Sequence, residues 1–327
     1  MVSRLNDDKI AKRPRFALID AVRGLAIIGV VIYHLVWDLR FYQFTSYDPV
    51  FDPFWLGLAK VLLASFLLLA GVSLVLAHKE QIYWRAFWRR FLILAGAALA
   101  VSVGTYFVFS DGFVYFGILH ALALFSLLGV FFVRANIWLA LVLAIFFLGA
   151  SFVFQSAAFN PKYLTWIGFW TVEPYTQDLV PMFPGFGFVL MGIVLMRSVL
   201  AWRAGTKVVS WQNDRGWFRF LVKAGRWSLI IYLVHQPVLF GVLTPLANWL
   251  EPGKLSIAQQ AEIFRGNCEA FYIEQEGKTG EAATYCACAT EMMVDNDLLG
   301  VASVADLTAQ QSVVYEAIPK MCQAMSE

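Results

Sequence analysis

Seven runs of about twenty apolar residues, each with few or no charges inside, limit this chain more than any other feature. They occupy roughly residues 16–38, 54–77, 91–109, 115–133, 136–154, 180–199 and 227–249. About 20 such residues is the length at which an α-helix crosses the hydrocarbon core of a bilayer. Helices are the expected form, because no water inside a bilayer satisfies an open backbone. A β-barrel would need alternating segments of about 10 residues, and Phe91 to Phe109 does not alternate. The first run does not read as a cleavable signal. Asp20 and Arg23 lie inside it, and Trp37-Asp38-Leu39-Arg40 follows where a small-residue cleavage site would stand. The fold expected is all-α: a polytopic transmembrane helical bundle. Pro181, Pro184, Pro237 and Pro245, at or inside the last two runs, predict broken or kinked helices there.

Composition agrees. Apolar residues make up 60% of the 327-residue chain and charged residues 15%, against about 45–50% and about 25% in soluble domains. An ordinary soluble enzyme, a nucleic-acid binder and a disordered chain are excluded. No P-loop, zinc motif or Gly-x-Ser-x-Gly elbow is present, which leaves ATP-driven transport and serine-hydrolase chemistry unsupported.

Lys and Arg crowd one side of the expected bundle. They fill the arm 1–15, the loop at Lys79, Arg85, Arg89 and Arg90, the turn at Arg134, and the stretch from Arg197 through Arg203 to Arg226. The opposite loops before residue 250 hold Arg40, Lys60 and Lys162. This bias places the N-terminus in the cytoplasm and, with seven spans, the tail outside. Three regions are expected: a cytoplasmic basic arm (1–15), the transmembrane domain (16–249) and an acidic periplasmic helical tail (250–327). From 251 onward the chain holds twelve acids and four bases. All four cysteines, Cys268, Cys286, Cys288 and Cys322, lie there, which suits disulfides in an oxidising compartment. Cys286 and Cys288 are too close in sequence for easy mutual bridging, so each is expected to pair elsewhere. The location expected is a bacterial inner membrane.

Ionisable residues inside a membrane are costly and point to function. The first run carries Asp20, Arg23, His34 and Asp38. At 100° per residue they fall within about 60° of one another on one helix face. Asp20 and Arg23 are spaced i, i+3 and can pair. Arg23 either completes a structural ion pair or faces an anionic donor group. His34 and Asp38 are spaced i, i+4, so Asp38 can orient the imidazole as a carboxylate does in hydrolytic triads. A neutral His34 can then take a proton from a hydroxyl or amine. The alternative is an interfacial histidine beside a solvated carboxylate.

The last run carries a second stripe, Ser228, Tyr232 and His235, which also suits plain helix-to-helix hydrogen bonding. His120 stands alone within Phe116-Gly117-Ile118-Leu119-His120. The wide loop 155–178 holds Tyr163, Trp166, Trp170, Glu173, Tyr175 and Asp178. Such a set fits sugar binding, and fits an interfacial aromatic belt better.

Phe16-Ala-Leu-Ile-Asp20-Ala-Val-Arg23-Gly24, followed by Tyr33-His34-Leu-Val-Trp37-Asp38, resembles the opening of a bacterial membrane-protein family. That family is grouped with the catalytic domain of heparan-alpha-glucosaminide N-acetyltransferase. Phe66–Ser73, Phe116–His120, Asp178-Leu-Val-Pro181-Met-Phe-Pro184 and Gly225-Arg226-Trp-Ser228 through His235-Gln-Pro237 continue the resemblance in order. The opening is also similar to the wider transmembrane acyltransferase superfamily, with an arginine, ten residues and a histidine in the first helix, here Arg23 and His34. The resemblance implies transfer of an acyl group, typically acetyl, from cytoplasmic acetyl-CoA to an extracytoplasmic glycan or similar polar acceptor. His34 would be the base or acyl relay, and Arg23 would help hold the donor. The lysosomal enzyme departs from this chain in having more spans and its candidate histidine in a luminal loop. It also carries an arginine in the region of His120.

The expected function is therefore a membrane-bound, acyl-CoA-dependent O- or N-acyltransferase. Its catalytic residues would be His34 and Asp38, its donor-binding residues Arg23 and Asp20, and its further candidates His120, Ser228, Tyr232, His235 and Asp178. Acetyl-CoA, membrane lipid and a glycan are the expected partners, with homo-oligomerisation open and no metal or nucleic acid. A transporter or flippase without covalent chemistry is the alternative, and a scaffold built around the tail is a third reading.

Overall fold

The computed structural model describes residues 16–202, 205, 207, 210–250, 256–276, 279–299, 301, 303, 304 and 307–326. The basic arm 1–15, Arg203 and the segment 251–255 at the expected tail boundary lie outside the described residues. Among the described residues all regular structure is helical, apart from one isolated parallel bridge between Phe116 and Leu179.

Each of the seven apolar runs forms a helix: α1 (Ala17–Phe41), α2 (Pro53–His78), α3 (Trp84–Val108), α4 (Ile118–Gly129), α5 (Ile137–Val153), α6 (Met182–Ala201) and α8 (Ser228–Leu250). Five of these, α1, α2, α3, α6 and α8, are long and apolar enough to cross a membrane. The other two are shorter: α4, extended by a 3-10 turn to Phe132, and α5. The chain is thus a multi-pass membrane protein. Asn136 starts α5 by accepting from the Trp138 N–H at 2.8 Å, which satisfies one of the donors left open at a helix start.

The prolines act differently in the two helices. Phe183, at φ −103° and ψ 116°, interrupts α6 beside Pro184, as expected. In α8, Pro237 and Pro245 sit inside one continuous helix, so of the broken or kinked forms expected there the break does not occur.

The basic stretch between the last two runs contains a helix that hydropathy does not reveal, α7 (Gly216–Arg226). Phe218 and Val222 bury one face against Ala21, while Arg219, Lys223 and Arg226 stay exposed. Spacing of i, i+4 puts the two apolar side chains on one stripe.

The helices divide between two compact units. The first comprises described residues 16–29, 63–104 and 114–232. Two glycine-mediated crossings hold it together. A Cβ on Gly24 would strike the Leu221 carbonyl oxygen, and one on Gly225 would strike that of Asp20. In the same way Gly71 meets the Val189 carbonyl and Gly192 that of Leu68. Water drives no association between helices in lipid, so such close backbone approach, with its dispersion contacts, is a main source of cohesion. Leu67, Val75, Phe125, Val189, Leu190 and Ile193 fill the interior beside the second crossing.

The second unit comprises residues 30–62, 105–113 and the described part of 233–327. Here α1 and α8 run parallel, with Phe41 facing Phe240 at 6.0 Å and the Tyr42 hydroxyl bonded to Thr244 at 2.5 Å. Three more helices follow: α9 (Ile257–Glu276), α10 (Thr279–Asp295) and α11 (Ala309–Ser326). Disulfides join Cys268 to Cys286 and Cys288 to Cys322, so neighbouring Cys286 and Cys288 each pair elsewhere. Two residues apart on α10, they point about 200° away from each other. One reaches α9 and the other α11. Ala289, Met293, Leu298 and Ile318 form the small core of this part.

Candidate active site

The predicted stripe on α1 is built into two clusters, one in each unit. In the first unit the Arg23 Nη1 meets Asp20 Oδ1 at 3.0 Å, as the i, i+3 spacing requires. Its Nη2 donates to Ser73 Oγ on α2 at 2.9 Å. Ser73 donates its own proton to the Leu69 carbonyl at 2.6 Å, which leaves its lone pairs to receive the arginine. Arg226, the last residue of α7, places Nε 3.5 Å from Asp20 Oδ2. One carboxylate thus serves two guanidiniums, and the cluster keeps a net positive charge. Ser73 and Arg226 were not singled out from sequence. Both lie inside the family-like segments, and that was the available signal.

In the second unit the rings of His34 and His235 stand 4.8 Å apart between centroids, tilted by 60°. Asp38 is fully buried, and its Oδ1 accepts from Gln236 Nε2 at 2.8 Å. The expected partnership is therefore rearranged. Among the described residues no hydrogen bond joins Asp38 to His34, and the neighbours His235 and Gln236 on α8 take one each. Asp38 Oδ2 and Gln236 Oε1 are buried and find no donor among the described residues. Two adjacent acceptor oxygens of this kind favour a ligand that brings O–H or N–H groups, because a buried unsatisfied acceptor costs about 1–3 kcal/mol.

The remaining candidates gather in the first unit. Asp178 Oδ2 accepts from the Ile118 backbone N–H at 2.8 Å and from the Tyr232 hydroxyl at 3.4 Å. It sits at the start of α4, where the helix dipole favours negative charge. Gly117 leaves the room, since a Cβ there would collide with the same Oδ2. Burial pushes the Asp178 carboxyl up to about 6, against the opposing pull of these two donors. His120 Nε2 lies 3.1 Å from Ser102 Oγ. Ser102 gives its proton to the Val114 carbonyl at 2.6 Å, so His120 is the donor in that pair. The stripe Ser228, Tyr232 and His235 is divided: Tyr232 serves Asp178, His235 packs on His34, and Ser228 opens α8 without joining either. Among the described residues no three His, Cys, Asp or Glu side chains gather as a metal centre would require.

Several helices apolar and long enough to cross a membrane, the first of them carrying a buried Asp38 and part-buried Arg23 and His34, define the class: a multi-pass membrane protein with polar groups inside its helical domain. The pattern of one family, described as heparan-alpha-glucosaminide N-acetyltransferase, catalytic, matches residues 15–237, more than half of the chain. The chain belongs to that family of membrane acetyltransferases. The match takes in every candidate residue named above, and α9, α10 and α11 lie beyond it. No curated protein and no solved structure matches the chain.

Proposed function

We propose that this protein transfers an acyl group, acetyl in the simplest case, from acyl-CoA to a hydroxyl or amine of a polar acceptor such as an envelope sugar. The observation that carries the reading is the group formed by His34, His235, Asp38 and Gln236 on two parallel helices of one unit. The His34 imidazole removes the proton from the acceptor O–H or N–H as its oxygen or nitrogen attacks the thioester carbonyl carbon. The bond from that carbon to sulfur then breaks, and the CoA thiolate leaves with the proton returned by the imidazolium. Asp38, held by Gln236, and Gln236 itself offer acceptor oxygens that orient the incoming hydroxyls. The net-positive Arg23 cluster offers an anionic donor a counter-charge.

The charge bias of the loops supports a cytoplasmic N-terminus, entry of the donor from the cytoplasm and an exterior tail. Disulfides in that tail agree with it. A bacterial inner membrane is the setting that this reading adopts.

Titration of acetyl-CoA into the purified protein in nanodiscs tests the reading, followed by transfer of radiolabelled acetyl to glycan acceptors. Saturable binding that Arg23→Ala weakens and His34→Ala retains, with transfer lost in His34→Ala, is the expected result. A well-folded protein that binds neither acetyl-CoA nor longer acyl-CoAs would overturn it.

A further inference from the structure

Within the first unit, the ends of α2 and α6 and the turn after α4 surround a cavity of about 360 Å³. Lys79, Arg134 and Arg197 line it together with apolar Val75, Val133 and Leu200, and among the described residues no carboxylate does. Arg197 is anchored, because its Nη1 donates to the carbonyls of Phe132 at 3.3 Å and Ala135 at 2.6 Å. Among the described residues none of the three cations forms an ion pair. Helix C-termini favour cations, with about half a negative charge at each such end, and one of the two Arg197 acceptors, Phe132, closes the 3-10 turn that extends α4. The dipoles do not use up the donors on Lys79 and Arg134. Three cations around one partly apolar cavity repel one another, and an anion placed between them would relieve that repulsion.

We propose that this cavity binds a phosphate ester. A guanidinium fork and an ammonium are the groups that recognise phosphate oxygens. The apolar walls suit the carbon skeleton that an ester carries and free phosphate lacks. The same chemistry has two sources, the nucleotide phosphates of an acyl-CoA and the headgroup of an anionic phospholipid. The first rests on the donor reading above and the second does not.

The test uses the full chain and the double variant Lys79→Gln/Arg134→Gln, which leaves the anchoring Arg197 in place. Acetyl-CoA and its 3′-dephospho form are titrated into protein in phosphatidylcholine nanodiscs. Retention of phosphatidylglycerol is measured in parallel by native mass spectrometry. A fall of about tenfold in acetyl-CoA affinity, the scale of one lost charged hydrogen bond, with a smaller fall for the dephospho form, supports the site with CoA as its source. A comparable fall in phosphatidylglycerol retention, with acetyl-CoA binding unchanged, supports it with lipid as the source. A variant that melts like the wild type and changes neither overturns the site while leaving the donor reading intact. If the wild type binds no acyl-CoA but the variant sheds phosphatidylglycerol, the donor reading fails and the phosphate site stands. A wild type that holds neither probe overturns both.

Discussion

The imidazole of His235 on α8 packs against that of His34 on α1, with ring centres 4.8 Å apart. The next residue of α8, Gln236, reaches Asp38 one turn further along α1. Consecutive residues of one helix thus meet residues spaced i, i+4 on another, and they set the orientation of both α1 side chains. The arrangement is a pair of matched contacts rather than a linear relay along α1.

His34→Ala is expected to lower acetyl transfer by about 10²- to 10⁴-fold, the usual worth of a positioned general base. Binding of acetyl-CoA should remain within about threefold of wild type, since the ring is assigned to the proton and not to the donor. Radiolabel transfer and calorimetry on the same preparation read the two quantities separately.

Gln236→Ala removes the donor from a fully buried Asp38 carboxylate. A loss of about 1–3 kcal/mol is expected, seen as a lower melting temperature in detergent. Asp38→Asn added to that variant should recover part of the loss, because it replaces a stranded charge with a neutral amide.

Gly225→Ala would press a methyl group onto the Asp20 carbonyl. Overpacking of this kind costs about 1–3 kcal/mol, so the variant should melt earlier and weaken the Asp20, Arg23 and Arg226 cluster. Gly241→Ala is the control: nothing lies within 4 Å of its added carbon. Equal effects from the two substitutions would contradict the crossing.

Asp178 gives a pH signature. Its folded value of about 6 lies above the ordinary 3.8. A group raised in this way contributes stability that is complete below about 3.8 and is lost as pH rises through about 6. Thermal melts of the wild type should therefore carry a destabilising component between those pH values. Asp178→Asn, which keeps an acceptor for the Ile118 N–H and has no charge to bury, should flatten that component.

The two disulfides close separations of 18 and 34 residues, worth about 3 and about 4 kcal/mol in the loop-entropy account. Non-reducing peptide maps should show Cys268 with Cys286 and Cys288 with Cys322. Reduction should lower the melting temperature of the tail while leaving acetyl-CoA binding intact. A Cys268–Cys288 peptide would refute the pairing.

Much of this architecture was legible residue by residue. The apolar runs announce their helices because the bilayer requires long uncharged stretches with every backbone group satisfied internally. Asp20 and Arg23 announce their pairing because both belong to one helix, and helical periodicity is a local property. Hydropathy does not reveal the α7 helix because a long window averages Phe218 and Val222 with Arg219, Lys223 and Arg226. A shorter window would have shown its apolar stripe. The pairing of His34 and Asp38 was drawn from the same local rule. In the structure Gln236 donates to Asp38 and the His235 ring packs on His34, contacts from α8 that a rule local to α1 does not reach.

The sequence by itself determined the membrane class, the helical content, the stripe on α1 and the need for Cys286 and Cys288 to pair apart. Each follows from spacing along the chain, where helix geometry leaves no choice. Tertiary structure alone decided that Ser73 and Arg226 complete the Arg23 cluster and that His235 and Gln236 divide His34 and Asp38 between them. It also decided that Lys79, Arg134 and Arg197 share one cavity. Those residues lie tens to hundreds of positions apart, and helix packing, governed by glycine crossings and shape, brings them together.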